Sequence, residues 1–135
     1  MNRAEFRNLL FAEIILWHST SFPTLPLVTE NGPAPDEDAI GPIFLDIQVN
    51  WQGSELLTAG DGPKGRTFGE VAFNCYTKQQ EGTGQSAEIL DSASVYFRNR
   101  RLNEATLKFP KPDTPNSVLG WYRSGLYVPF QFDSF

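Results

Sequence analysis

Ile43-Phe44-Leu45-Asp46-Ile47-Gln48-Val49-Asn50-Trp51 is the stretch from which the rest of the chain is read. Ile43, Leu45, Ile47, Val49 and Trp51 alternate with Phe44, Asp46, Gln48 and Asn50, and only a strand sends every second residue to the same face. Residues 53–65 then hold four glycines, after which Arg66 to Lys78 resumes the alternation. There Val71, Phe73 and Cys75 share one side, with Glu70, Ala72, Asn74 and Tyr76 on the other. The two segments predict an antiparallel hairpin whose tip, 53–65, is long and glycine-rich.

On the N-terminal side, residues 2–17 contain neither Gly nor Pro, and Phe6, Leu9, Leu10, Ile14, Leu16 and Trp17 gather on one side of a 3.6-residue wheel. This predicts a helix. Phe11 and Ile15 fall on the far side, to be covered by a loop or by a neighbouring subunit, and Glu13 lies inside the apolar sector, where it needs a partner or an exposed helix end. Residues 18–42 carry five prolines and Asp36-Glu37-Asp38, which predicts an extended arm lying on a surface. Downstream of the hairpin, Thr83 to Ser86 offer cap residues, and Ile89, Leu90, Ala93, Tyr96 and Phe97 share a helical face through to Asn99. Residues 102–109 and 119–132 read as two further strands, with Pro129 pushing the last toward an edge. The order is α-β-β-α-β-β, an α+β fold with an antiparallel sheet of about four strands and two helices packed on it. Its expected core includes Val71, Phe73, Ile89, Ala93, Phe97, Leu107, Leu126 and Val128.

A length of 135 residues fits one domain, and eighteen aromatic residues (11 Phe, 4 Tyr, 3 Trp) supply area enough to close its core. The net charge of −5 and a pI near 4.8 speak against a duplex-DNA binder, which draws affinity from Lys and Arg on phosphates. With one Cys and one His, neither an internal disulfide nor a four-ligand zinc site can be assembled. Without a long apolar run, the chain reads as soluble and made in a cytoplasm, with no membrane contact. Charge is uneven along it: residues 1–61 hold 2 bases and 9 acids, residues 62–135 hold 9 bases and 7 acids. Such polarity suits head-to-tail contact between copies.

No catalytic constellation is visible, so no cofactor or metal and no enzymatic activity are expected. Gly60-Asp61-Gly62-Pro63-Lys64-Gly65 matches a phosphate-cradling pattern in letters, but that turn must open a helix, and a strand follows here. His18 reads as a helix-end histidine, Cys75 as a buried thiol, and Asp36, Glu37 and Asp38 have no scaffold to fix their separation. Arg98-Asn99-Arg100-Arg101 is the basic cluster, placed where cations complement a helix C-terminus.

The element order, the hairpin strand Arg66-Thr67-Phe68-Gly69-Glu70-Val71-Ala72-Phe73-Asn74-Cys75-Tyr76, the helix start Gly82-Thr83-Gly84-Gln85-Ser86-Ala87-Glu88 and the closing Gly120-Trp121-Tyr122-Arg123-Ser124-Gly125-Leu126-Tyr127-Val128-Pro129-Phe130 resemble the tail terminator family of long-tailed bacteriophages, also called tail completion proteins. The resemblance implies a structural virion protein at the neck end of the tail. It would form a hexameric ring on the last ring of the tail tube protein, stop tube polymerisation and meet the head-tail connector, while DNA passes the lumen without sequence-specific binding. A head-completion or stopper protein at the same neck is the alternative within that class, and a small α+β ligand-binding module or enzyme the alternative outside it.

Two sets of candidate residues follow. Leu56 and Leu57 on the hairpin tip, with Asp61, Lys64 and Arg66 around them, form an apolar anchor in a charged rim and are candidates for docking on the tube, unless the tip folds back and buries both leucines. Phe11 and Ile15, with Arg98, Arg100 and Arg101, are candidates for the ring interface.

Overall fold

A computed structural model describes residues 1–29, 41–57, 60, 64–78 and 84–134. Helix α1 (Arg3–Ser21) is followed by strands β1 (Leu27–Thr29), β2 (Ile43–Leu56) and β3 (Gly65–Lys78), then by helix α2 (Gly84–Phe97) and strands β4 (Arg101–Leu102), β5 (Ala105–Leu107), β6 (Lys111–Val118) and β7 (Trp121–Ser134). All seven strands join one sheet in the order β1-β2-β3-β7-β5-β4, with β6 also paired to β7. The sheet is mixed and curled into a half-barrel, so the expectation of a four-stranded antiparallel sheet carrying two helices is corrected.

The correction has three physical sources. Leu27–Thr29 pairs in parallel with Leu45–Ile47, a three-residue strand inside the segment read as an arm. The strand expected over 102–109 breaks at Asn103, whose φ of 57° turns the chain into the short β4–β5 hairpin. Residues 111–118, with Pro112 and Pro115, form β6 because the prolines need satisfy only one neighbour, β7.

Pro129 belongs to β7, which is interior rather than an edge: β3 flanks it along its whole length, and β5 and β6 share its other side. The amide nitrogen and carbonyl of one antiparallel residue point the same way, and the Pro129 carbonyl accepts the Lys108 amide at 2.7 Å. The missing donor therefore faces residues 108–110, where β5 has ended and β6 has not begun. Within β2 the register shifts between Trp51 and Gly53, and opposite it Gly69 admits no side chain: a Cβ there would lie 2.3 Å from the Asn50 carbonyl oxygen.

One sheet face carries the core. Leu45, Ile47 and Val49 pair with Cys75, Phe73 and Val71, and Val71, Phe73 and Gly69 pair with Val128, Leu126 and Phe130. All eight residues expected to be buried are. Phe6 is fully enclosed, 4.3 Å from Phe130 and 5.0 Å from Phe132 between ring centroids, while Trp17 meets Phe73 and Phe97 edge to face.

The burial of α1 is rotated from its expected face. Phe6, Leu10, Phe11, Ile14 and Trp17 are buried, whereas Leu16 is 55% exposed. On the wheel Glu13 lies between Trp17 and Leu16, so burying Leu16 would carry a carboxylate into the middle of the contact. Turned toward Phe11, the helix keeps Glu13 at the rim, where it accepts the Tyr96 hydroxyl at 2.8 Å and meets Arg100 at 3.7 Å.

Candidate docking surfaces

The β3–β7 pair runs from Gly65 opposite Ser134 to Lys78 opposite Trp121, roughly 45 Å of strand before curling. Each end carries a hairpin tip with exposed apolar side chains. At one end Leu56 is 67% and Leu57 39% exposed, and the Leu57 amide donates to the Lys64 carbonyl at 2.8 Å, extending the β2–β3 ladder. The leucines are not folded back. Asp61 lies outside the described residues. Arg66 is not a free rim charge: its Nε donates to the Asp133 carboxylate at 2.8 Å across the β3–β7 register, which lifts the guanidinium and holds that carboxyl below the usual range. Lys64 is exposed beside it.

The opposite tip leaves no mark in the hydrophobic pattern. Val118 pairs with Trp121, leaving Leu119 and Gly120 as a two-residue turn with φ of 48° and 86°. Both positive values define the turn type that Asn-Gly usually fills. Here a leucine occupies the left-handed position and is 92% exposed, with Val118 37% exposed next to it. A bulky residue held in an unfavourable conformation, with its side chain in water, gains nothing for the fold.

Of the ring-interface candidates, Ile15 is 57% exposed and lies beside exposed Leu16. Phe11 is corrected: it belongs to the chain's own core, with the Arg7 guanidinium 4.7 Å over its ring. Arg100 is also committed within the chain, to Glu13, to the Tyr96 carbonyl at 2.9 Å and to the Tyr96 ring at 4.0 Å. Arg98 and Arg101 are exposed.

The sheet face away from the helices holds a polar network spanning four strands. Asp113 of β6 accepts from Arg123 and from the Tyr127 hydroxyl; Arg123 donates to Asn74 at 3.0 Å and to Asn116 at 3.0 Å. Asn74 and Gln48 in turn bond Asp46 of β2. Arg123 holds the Asp113 carboxyl below its ordinary range, whereas burial raises that of Asp46. Gly125 leaves room for the pair, since a Cβ there would lie 3.0 Å from both Arg123 Nη2 and Asp113 Cβ. Beside this network Phe44 stacks on Tyr76 at 4.9 Å and meets Trp121 edge to face.

Between α2 and β6 lies a groove of about 490 Å³, lined by Leu90, Phe109, Pro110, Tyr122 and Leu126 among others. Phe109 is 62% exposed. His18 Nε2 donates to the Leu25 carbonyl at 2.5 Å, closing the turn after α1, and Cys75 is fully buried with its thiol pushed up to about 12 by that burial. The glycine pattern of residues 60–65 leads into β3 rather than a helix, with 61–63 outside the described residues, as is the acidic patch 36–38. No helix among the described residues is long and apolar enough to cross a membrane.

No family model matches the chain, and no curated protein matches it. Among solved structures it is similar to a chain known by a serial designation alone, with a TM-score of 0.74 at 13% identity over 100% of this chain and 98% of that one. That likeness carries the fold and no function.

Proposed function

We propose that this protein is the ring-forming terminator of a phage tail tube, joining tube to head connector. The supporting observation is the pair of exposed apolar tips at opposite ends of one continuous strand pair, Leu56 and Leu57 at one end and Val118 and Leu119 at the other. A chain whose two adhesive points sit at the far ends of a hydrogen-bonded sheet is suited to bridging two bodies. Small apolar anchors in polar surroundings are the usual core of such contacts. In this reading the Leu56-Leu57 tip docks on the tube and the Val118-Leu119 tip on the connector. The net acidic chain lets DNA pass the ring without adhering.

Separate substitutions at the two tips test the reading in an assembly system. Leu56→Asp with Leu57→Asp yields folded protein that no longer caps tubes, so tails grow overlong. Leu119→Asn yields tails of normal length that do not join heads. Tails of normal length from the first variant would refute tube capping by this tip and favour a stopper role on the connector side.

A further inference from the structure

We infer that the sheet face away from the helices receives the helix layer of a second copy of this chain, Lys108 and Lys111 of one copy meeting Glu88 and Asp91 of the next. The inference rests on the ring reading above and names the contact that would build the ring. Both helices pack on the side of Phe73, and no described element lies over the other side of the sheet. That bare face has a basic margin, which the strand register locates. Lys111 pairs with Tyr127, the Lys108 amide bonds the Pro129 carbonyl, and Thr106 pairs with Gln131 on one side and with Arg101 of β4 on the other. Tyr127, Pro129 and Gln131 alternate with the buried Leu126, Val128, Phe130 and Phe132, so Lys111, Lys108 and Arg101 all belong to the face away from the helices. All three cations are exposed, and none makes an ion pair among the described residues. The other charges of this face are answered or distant. Arg123 holds Asp113, Arg66 holds Asp133, Gln48 and Asn74 bond Asp46, and Lys78 stands over the Trp121 ring. Glu70 lies across Pro129 from Lys108, two strands or about 10 Å away. Beside the margin, half-buried Phe68, Tyr127 and Pro129 give the face an apolar floor.

The helix layer offers the opposite charge. Trp17 Nε1 donates to Ser92 Oγ at 3.2 Å and the Tyr96 hydroxyl to Glu13, so α1 and α2 lie side by side and antiparallel. Outside that seam Leu16 and Val95 are exposed. Asp91 and Glu88 precede Val95 by one and two helical turns, also exposed, and neither makes an ion pair among the described residues. Glu13 is committed to Arg100, and Arg98, one turn beyond Val95, ends the acidic stretch. The spacings agree. Glu88 and Asp91, three apart on a helix, stand about 5–6 Å apart at Cβ. Lys108 and Lys111 face β7 positions two apart, about 7 Å along the strand. Each charged pair also has apolar side chains beside it, which suits a protein surface rather than a phosphate chain. One copy cannot make this contact with itself, because its helices and its basic margin lie on opposite faces of its own sheet. A contact between two different surfaces repeats from copy to copy, and closes a ring where the rotation allows.

The test is a charge swap read by sedimentation velocity between about 0.05 and 0.5 M salt. Wild-type protein associates at low salt and dissociates at high salt. Lys108→Glu with Lys111→Glu, and separately Glu88→Lys with Asp91→Lys, each weaken association by about tenfold or more, as reversing exposed pairs implies. An equal mixture of the two variants associates again, because each then offers what the other lacks; so does a chain carrying all four reversals. Circular dichroism checks folding, and if the lysine variant fails to fold, the helix and fourfold variants carry the test. Absence of wild-type association, or a mixture that stays apart, overturns the inference. A wild type that stays monomeric but binds a DNA duplex, with the lysine variant losing that affinity, overturns it in favour of a phosphate chain on the basic margin. An assembly that neither variant weakens overturns this contact and leaves the ring standing. A variant that stays monomeric yet caps tails normally overturns the ring reading and leaves the contact.

Discussion

Replacing Leu119 by asparagine should make the protein more stable and less able to join heads. Leu119 occupies the first central position of the β6–β7 turn at a φ of 48°. For a residue with a branched carbon chain the left-handed region costs about 1–2 kcal/mol, most of which asparagine avoids. Against that gain stands the apolar burial that asparagine forgoes, and at 92% exposure Leu119 has almost none, about 0.2 kcal/mol. The net expectation is a stabilisation of about 1 kcal/mol, or roughly 4 °C in melting temperature for a chain of this size. Differential scanning calorimetry of wild type, Leu119→Asn and Leu119→Ala measures it. Alanine keeps the unfavourable conformation and should stay within about 0.5 kcal/mol of wild type. An asparagine variant that melts at or below the wild-type temperature would refute the reasoning, since the turn would not then be strained. Increased stability with undiminished head joining would leave the strain intact and remove the function assigned to the side chain.

Phe6→Ala should cost about 3–5 kcal/mol in urea unfolding, because the ring is fully buried against Phe130 and Phe132 and its loss leaves a cavity at the middle of the core. Phe11→Asp should unfold the chain or nearly so, whereas Ile15→Asp with Leu16→Asp, both exposed, should leave its melting temperature within a few degrees and, on the proposed ring reading, weaken association, to be measured by sedimentation velocity. The Asp113 carboxyl is held low in the folded state by Arg123, so the unfolded chain binds the proton more readily. The stability it contributes is present above the unfolded value of about 3.9 and is lost as pH falls through the folded one. Acid titration of unfolding should show this slope in the wild type and a shallower one in Asp113→Asn.

What can be read from the residues is whatever repeats. Both helices and the β2–β3 hairpin carry periods of 3.6 or 2 over many positions, and the buried sides of β3, α2 and β7 follow from them. β1 has three residues, too few to establish a period, and it pairs with β2 across a connection that pattern alone cannot join. β6 reads as broken because two prolines interrupt it, yet a strand with one neighbour loses little to them. Pro129 misleads for the same reason inverted: what matters is the chain opposite its nitrogen, and that is set by where β5 stops. At the candidate sites, Leu56 and Leu57 stand out as adjacent leucines among polar residues. Leu119 does not, because its oddity is conformational: the Leu-Gly pair following Val118 suggests a tight turn but not the exposure of its leucine. Phe11 is misplaced by the wheel, which weighs apolar residues and takes no account of where Glu13 can find Tyr96 and Arg100.

The details that depart from the simple periodic pattern also position the tips. Without strand character in residues 111–118, the first half of β7 would be paired on its β3 side alone and Leu119 would sit in an open loop. Pairing with β6 instead makes residues 119–120 the end of a hydrogen-bonded hairpin, fixed in direction by the four-strand network from Asp113 through Arg123 and Asn74 to Asp46. At the other end, the Arg66–Asp133 pair ties β3 to β7 just before the Leu56-Leu57 tip leaves the sheet. Each apolar tip is therefore braced by a charged pair within its own chain, and both braces bridge β7 to a neighbour. The Leu56-Leu57 tip rides on β3 and the Leu119 tip on β7, so sliding β7 against β3 would change their separation, which one strand pairing of fourteen residues on each side holds. That is the mechanical property the proposed bridging role requires.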